Sequence, residues 1–166
     1  MTPEQTGRWR ESTGSARLSV MDAEGEERPQ TPSIRDAVTQ DGTALLSLWH
    51  EAETEPGHTD DLQSIDQLIR YDPGAVIVAD LDGRIVGSVI AGWDGWRGSI
   101  YRLAVAPLYR RQGLGRKLVR AAESRLAALG AVRLQAIVVE NDVRATSFWR
   151  STDWAEQTER LRFVKR

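Results

Sequence analysis

Tyr101-Arg102-Leu103-Ala104-Val105-Ala106-Pro107-Leu108-Tyr109-Arg110-Arg111-Gln112-Gly113-Leu114-Gly115-Arg116 passes from a strand, through a glycine-bearing loop, into the start of a helix. Pro107 stops the strand, having no N–H to give to a ladder. Gly113 and Gly115 let the backbone approach a ligand closely, and the free N–H groups and positive end of the following helix point toward it. Arg110, Arg111 and Arg116 add charge. The design is that of a diphosphate site. Gly-x-Gly alone would more often be an ordinary helix start flanked by solvated arginines, so the whole run carries the reading. Two other phosphate motifs fail on residues: Leu118 stands at the third glycine of Gly-x-Gly-x-x-Gly, and no Gly-x-x-x-x-Gly-Lys-Ser/Thr loop exists.

Outward from this run the chain reads as mixed α/β. A short strand near Ile34–Val38 precedes a helix carrying Leu45, Leu46, Leu48, Trp49 and Ala52 at helical spacing. A second helix has Thr59 or Asp60 as N-cap and Leu62, Ile65, Leu68 and Ile69 as its apolar stripe, and Pro73-Gly74 end it. Ala75–Ala79 and Ile85–Ala91 are strands joined by an Asp82-Gly83 turn, and a further strand covers about Ser99–Val105. Leu114, Leu118, Ala122, Leu126 and Leu129 mark one face of a long helix, with Gly130 as its C′ residue. Val132–Val139 is a β-branched strand, Asn141 caps a helix running to about Ser151, and Gln157–Val164 supplies a last strand or two. A meander followed by strand–helix–strand–helix predicts a mixed sheet covered on both faces, with an antiparallel start and a parallel crossover around the long helix.

Composition narrows the function. The 166 residues contain no cysteine, which excludes disulfides, thiolate metal sites and a thiol nucleophile, and makes a cytoplasmic protein the expectation. Residues 1–32 are poor in apolar side chains, hold Pro3, Pro29 and Pro32, and read as a disordered or loosely attached tail before a domain over 33–166. That tail carries six acids and four bases, which accounts for the whole net charge of −2. The balanced remainder argues against nucleic-acid binding by counterion release. An apolar run of the ~20 residues a bilayer span needs is absent, as is a signal-peptide core, so no membrane partner is expected.

The run from Val105-Ala106-Pro107 through Arg110–Gly115 resembles the GNAT superfamily of acetyl-CoA-dependent N-acetyltransferases, whose signature is Arg/Gln-x-x-Gly-x-Gly/Ala after a Val-x-Pro strand end. Asn141-Asp142-Val143-Arg144-Ala145-Thr146-Ser147-Phe148-Trp149 is similar to the family's Asn-x-x-Ala-x-x-Phe-Tyr segment, and the likeness spans about Ile34–Phe163. Gly92–Ser99 also looks like a loop of a bacterial subgroup whose substrates are mostly unassigned. The resemblance implies a mostly antiparallel six- to seven-stranded sheet with about four helices and a central parallel splay at the acyl-CoA site. It implies acetyl-CoA as co-substrate, no metal, an amine acceptor, and a monomer or homodimer. Residue by residue, backbone N–H groups of Arg111, Gln112, Gly113, Leu114, Gly115 and Arg116 would hold the diphosphate, with charge from Arg110, Arg111 and Arg116. The edge backbone of Leu103, Ala104 and Val105 would pair with the pantetheine amides, the Leu103 N–H polarising the thioester carbonyl. Asn141 would reach the pantetheine arm, a role compatible with capping.

Chemistry then asks for a base. A lysine-type amine starts near pKa ~10.4 and an α-amine near ~7.7–8.0, so the first needs far more help. Strand parity with Leu103 and Val105 puts Ser99 and Tyr101 toward the acceptor, where relatives carry glutamate or histidine. Tyr101, acting directly or through water, and Glu140 beside the splay are the candidate catalytic residues. Asp60, Asp61, Asp94, His50 and His58 are further candidates, each also readable as a solvated loop, cap or surface residue. Trp149 stands where the family has an acid tyrosine. An indole N–H is a donor but no useful acid, so Trp149 would wall the pantetheine or fill core. Without a cysteine, transfer to the amine would be direct. The alternative from another class is an acyl-CoA-binding module with little turnover; a nucleic-acid binder using Arg116, Lys117, Arg120 and Arg125 is the weakest reading.

Overall fold

The computed structural model describes residues 19–21, 27–29, 31–139 and 141–159. The chain divides into two units, Met1–Thr31 and Pro32–Arg166. In the first, β1 (Ser19–Met21) and β2 (Glu27–Pro29) pair antiparallel, Ser19 opposite Pro29. The tail expected over residues 1–32 otherwise lies for the most part outside the described residues.

The second unit runs β3 (Ser33–Asp36), α1 (Gly42–Glu51), α2 (Leu62–Tyr71), β4 (Val76–Leu81), β5 (Arg84–Trp93), β6 (Gly98–Val105), α3 (Leu114–Ala128), β7 (Leu134–Ala136) and α4 (Val143–Arg150). The sheet order is β3-β4-β5-β6-β7, antiparallel as far as β6, with β6 and β7 parallel. The expected mixed sheet and four helices are present. This sheet has five strands among the described residues, where six to seven are expected. Gln157 to Glu159 form no strand, and the rest of the expected final strand lies outside the described residues. β7 is also shorter than Val132–Val139, because its pairing with β6 spans only Gly98↔Leu134 to Ile100↔Ala136.

Consecutive strand residues point to opposite faces, and β5 shows which helix covers which. A Cβ built on Gly87 would lie 2.9 Å from Leu118 of α3, whereas Ser88 Oγ receives the indole N–H of Trp49 on α1. Thus α3 covers one face and α1 the other. α1 buries Leu45, Leu48 and Trp49, a stripe that its C-cap Ala52 extends to i, i+3, i+4, i+7, and α3 buries Leu114, Leu118, Val119, Ala122 and Leu126. At the end of α3 the Ala131 N–H bonds the Leu126 carbonyl and the Gly130 N–H that of Ala127, a Schellman closure with Gly130 at C′.

Two caps differ from expectation by one residue. Asp61, not Thr59 or Asp60, caps α2, accepting the Ser64 N–H at 2.8 Å from an extended backbone. Asp60 is turned away to Arg102 and to the Gly57 N–H. Asp142, not Asn141, caps α4, accepting the Ala145 N–H at 2.9 Å. Among the described residues no helix is long and apolar enough to cross a membrane.

Candidate active site

The site is organised by β6. Ser88 pairs with Ala104 and Ile90 with Tyr101, so Val89 alone stands opposite Arg102 and Leu103. This is a β-bulge, and Arg102 occupies it at φ +49°. The bulge corrects the parity argument. Cross-strand partners share a face, so Tyr101 sides with Ile90, and Ala104 with Ser88, on the α1 face; Val105, opposite Gly87, takes the α3 face. Tyr101 remains on the open side, 43% exposed, its ring over Gly92.

Along β6 the antiparallel ladder alternates. The Ala106 N–H bonds the Val86 carbonyl at 2.9 Å, and Ala104 pairs with Ser88. The backbone groups of Ala104 therefore point into the sheet and those of Leu103 and Val105 to the opposite edge. Among the described residues no strand pairs with that edge beyond Ile100, where β7 stops. Of the three residues expected to pair with a pantetheine, Ala104 is thus spent on β5. A free strand edge of this kind can take an extended amide-bearing ligand as an added strand.

The edge leads into the loop. Pro107 opens a short 3-10 turn (Pro107–Tyr109), Arg111 sits at φ +60° and Gly113, the N-cap of α3, at φ +81°. Among the described residues the N–H groups of Arg111, Gln112, Gly113, Leu114, Gly115 and Arg116 donate to no protein acceptor, and that of Lys117 bonds the Gly113 carbonyl at 3.1 Å. These unspent donors and the α3 dipole fit an anionic group. A Cβ on Gly113 would meet nothing within 4 Å, so the space before it is open; on Gly115 it would come 3.1 Å from Phe148.

The arginines divide. Arg110 donates from Nε to the Val105 carbonyl (3.0 Å) and from Nη2 to that of Ala52 (2.9 Å), bracing the strand end against α1. Arg116 reaches the Ser151 carbonyl at 2.6 Å, tying α3 to α4. Arg111 is exposed with no protein partner among the described residues, which makes it the freest of the three for a phosphate.

A cavity of about 380 Å³ lies between the α1–α2 loop (Glu53, Glu55) and the β7–α4 junction (Val139, Asn141, Asp142, Val143, Arg144). Asn141 is exposed here; Glu140 lies outside the described residues. Glu53 pairs with Arg144 at 2.9 Å across this space. Trp149 is half-buried, edge-on to Phe148 and Trp154, and packs against the core. Trp49 is buried and lies beneath the site.

Several candidate acids are committed elsewhere. Asp94 accepts the N–H groups of Arg97 (2.6 Å) and Trp96 (2.8 Å), which hold its carboxyl below the usual range. The backbone N–H and hydroxyl of Ser64 do the same to Asp61. Asp60 is bound by Arg102. His50 and His58 are exposed. Sequence reasoning missed Arg102; the only available signal was a charged residue inside an otherwise strand-forming run.

A family model described as "Acetyltransferase (GNAT) family" matches residues 42–153. An acetyltransferase of Yersinia pestis is 32% identical over 124 residues, covering 75% of this chain and 88% of the relative. An acetyltransferase of Pectobacterium atrosepticum is 34% identical over 109 residues, covering 66% and 77%. Among solved structures, the PaiA N-acetyltransferase of Thermoplasma acidophilum in complex with coenzyme A superposes with a TM-score of 0.64 at 15% identity, covering 71% of this chain and 86% of that one.

Proposed function

The chain belongs to the GNAT family of acetyltransferases, and we propose that it moves the acetyl group of acetyl-CoA directly onto a primary amine of a small molecule, a peptide or a protein N-terminus. It is an acyltransferase, which leaves the reading as a binding module with little turnover unfavoured. The observation that carries the proposal is the continuity of one surface: beyond Ile100 no described strand covers the β6 edge, and from Leu103 it runs past Val105, whose carbonyl Arg110 holds, straight into the unspent N–H groups of Arg111 to Arg116. An extended arm with amides followed by a diphosphate matches that order of acceptors and donors.

Acetyl-CoA supplies an activated acyl group as a thioester. The chain's own part is to hold it and manage a proton. The Leu103 N–H, free at the edge, faces the acyl carbonyl and stabilises charge developing there. Tyr101, exposed on the α1 side, takes the amine proton in its phenolate form, directly or through one water, and the Glu140 carboxylate is the second candidate for that step. No acid is required at the sulfur: a thiol of pKa ~8.5 leaves as thiolate at pH 7 at a cost of about 2 kcal/mol. Trp149, an indole where the family has a tyrosine, is consistent with that economy. Around the cavity three carboxylates, Glu53, Glu55 and Asp142, face one cation, Arg144, which is paired with Glu53, and the acidic excess favours a cationic acceptor.

The test is to incubate the protein with acetyl-CoA and a panel of spermidine, kanamycin, lysine and a peptide with a free N-terminus, following thiol release. The chain has no cysteine, so a thiol reagent reads CoA without protein background. Amine-dependent release is expected, with Tyr101→Phe or Glu140→Ala slowing it more than tenfold. CoA binding without release for any amine would overturn the proposal.

A further inference from the structure

Arg102 is the residue of the site for which neither the loop motif nor the reaction accounts. It holds a left-handed backbone, φ +49°, that a non-glycine residue adopts only where its surroundings compensate. The compensation is visible. Its Nη1 donates to the Glu55 carbonyl at 2.7 Å, and its Nη2 lies 2.5 Å and 2.6 Å from the two Asp60 carboxylate oxygens. The guanidinium stands over the Trp49 ring, 5.3 Å from the centroid. The ion pair is shielded, with side-chain exposures of 19% and 17%.

The partners are adapted to it. Asp60 also accepts the Gly57 N–H at 2.8 Å, closing the loop on itself. A Cβ on Gly57 would lie 2.2 Å from Arg102 Nη2, so only glycine leaves room for the guanidinium. The segment so fastened carries Glu53 and Glu55, one wall of the cavity whose other wall is the β7–α4 junction. Glu53 and Thr54 are bonded back to the His50 and Trp49 carbonyls at the end of α1, but from Glu55 to Asp60 the segment has no regular structure of its own to fix it.

We propose that Arg102 is a positioning residue for the acceptor: projecting from the β6 bulge, it straps the loop over residues 53–60 so that the acidic wall of the cavity stands at a fixed height beside the strand that holds the acyl group. The role rests on reading that cavity as the acceptor's. It acts through Glu55 and Asp60 and touches neither the acyl group nor the diphosphate loop. Lysine at this position cannot reproduce it, since a single ammonium lacks the planar fork that bonds a carboxylate and a carbonyl together.

The experiment uses the full chain and three variants. Arg102→Gly keeps the backbone conformation, which glycine adopts freely, while removing the strap; Gly57→Ala displaces the guanidinium without altering Arg102; Arg102→Lys is the conservative comparison. Hydrogen exchange is read at the amides of residues 53–60, CoA affinity by calorimetry, and KM and kcat with whichever of the four panel amines is turned over fastest. Expected for Arg102→Gly and Gly57→Ala are exchange at least tenfold faster in that loop, a tenfold or greater rise in the KM for the amine, kcat within threefold and CoA affinity within twofold. Arg102→Lys is expected to fall between these and the unsubstituted enzyme. Unchanged loop exchange, or unchanged KM despite faster exchange, overturns the positioning role alone. Absence of amine-dependent release by the unsubstituted enzyme, with CoA still bound, overturns the acceptor reading and the positioning role with it.

Discussion

The indole N–H of Trp49 donates to Ser88 Oγ at 2.9 Å in the buried face between α1 and the sheet. The Ser88 hydroxyl donates onward to the Arg102 carbonyl at 3.0 Å. One hydroxyl therefore satisfies an indole donor and the carbonyl of the bulge residue, whose ladder bond the bulge has disrupted. The fold's core and the β6 bulge are joined at this point.

Ser88→Ala should cost about 1–3 kcal/mol, since it strands a buried indole donor and leaves the bulge carbonyl without this bond. A fall of several degrees in Tm is expected. Combined with Trp49→Phe, the loss should be smaller than the sum of the two single changes, because the second removes the donor that the first orphaned. Additive losses in a double-mutant cycle by urea unfolding would show the bond to be energetically idle.

How much of this was legible in the sequence follows from the range of the forces involved. The stripes Leu45-Leu48-Trp49 and Leu114-Leu118-Ala122-Leu126 announced their helices because burial repeats every 3.6 residues. The loop from Arg110 to Gly115 is legible from the whole run of strand end, proline, arginines and paired glycines, since Gly-x-Gly alone marks many ordinary helix starts. The bulge was not: an arginine at positive φ leaves no compositional mark, and its compensation comes from Asp60, 42 residues away. That same pairing leaves the α2 cap to Asp61, and the bulge at Arg102 turns Tyr101 to the face opposite Val105, which strand parity alone does not foresee. β7 was read too long because β-branched composition records a preference for extended backbone, whereas pairing needs a partner in register.

The diphosphate loop makes a separable prediction. Gly113 has φ +81° and open space before it, so Gly113→Asp adds both a strained backbone and a negative charge where phosphate oxygens would sit. CoA affinity should fall by more than a hundredfold, or below detection when paired with Gly115→Asp. Gly115→Ala is a milder case: its methyl presses on the Phe148 ring at 3.1 Å, and a loss of about three- to tenfold through displacement of α4 is expected, each tenfold being about 1.4 kcal/mol. Calorimetry with CoA checks both, and full affinity in Gly113→Asp would place the diphosphate elsewhere.

Arg110 and Arg111, adjacent in sequence, should behave differently. Arg111→Ala removes an exposed charge and should weaken CoA about three- to tenfold at low salt, the difference shrinking as salt screens it. Arg110→Ala frees the carbonyls of Val105 and Ala52 and should lower Tm, with a salt-insensitive loss of CoA affinity that follows the strand end. Titrations at two ionic strengths beside thermal unfolding separate them; matching salt profiles would contradict the division.

Acid should reveal the cap at Asp94. The N–H groups of Arg97 and then Trp96 hold this carboxyl below its ordinary range, so folding favours the charged form. The stabilisation is complete above the unfolded value of about 3.9 and drains away as pH falls through the lower folded value. Asp94→Asn keeps an oxygen able to accept the same N–H groups and removes the charge. The urea midpoint of the unsubstituted chain should therefore exceed that of Asp94→Asn near neutral pH, with the gap constant down to about pH 5 and closing below about pH 4. A gap that held its size through that acid range would mean that the carboxylate's charge contributes nothing to the turn over residues 94–97, leaving hydrogen-bond geometry alone to explain it.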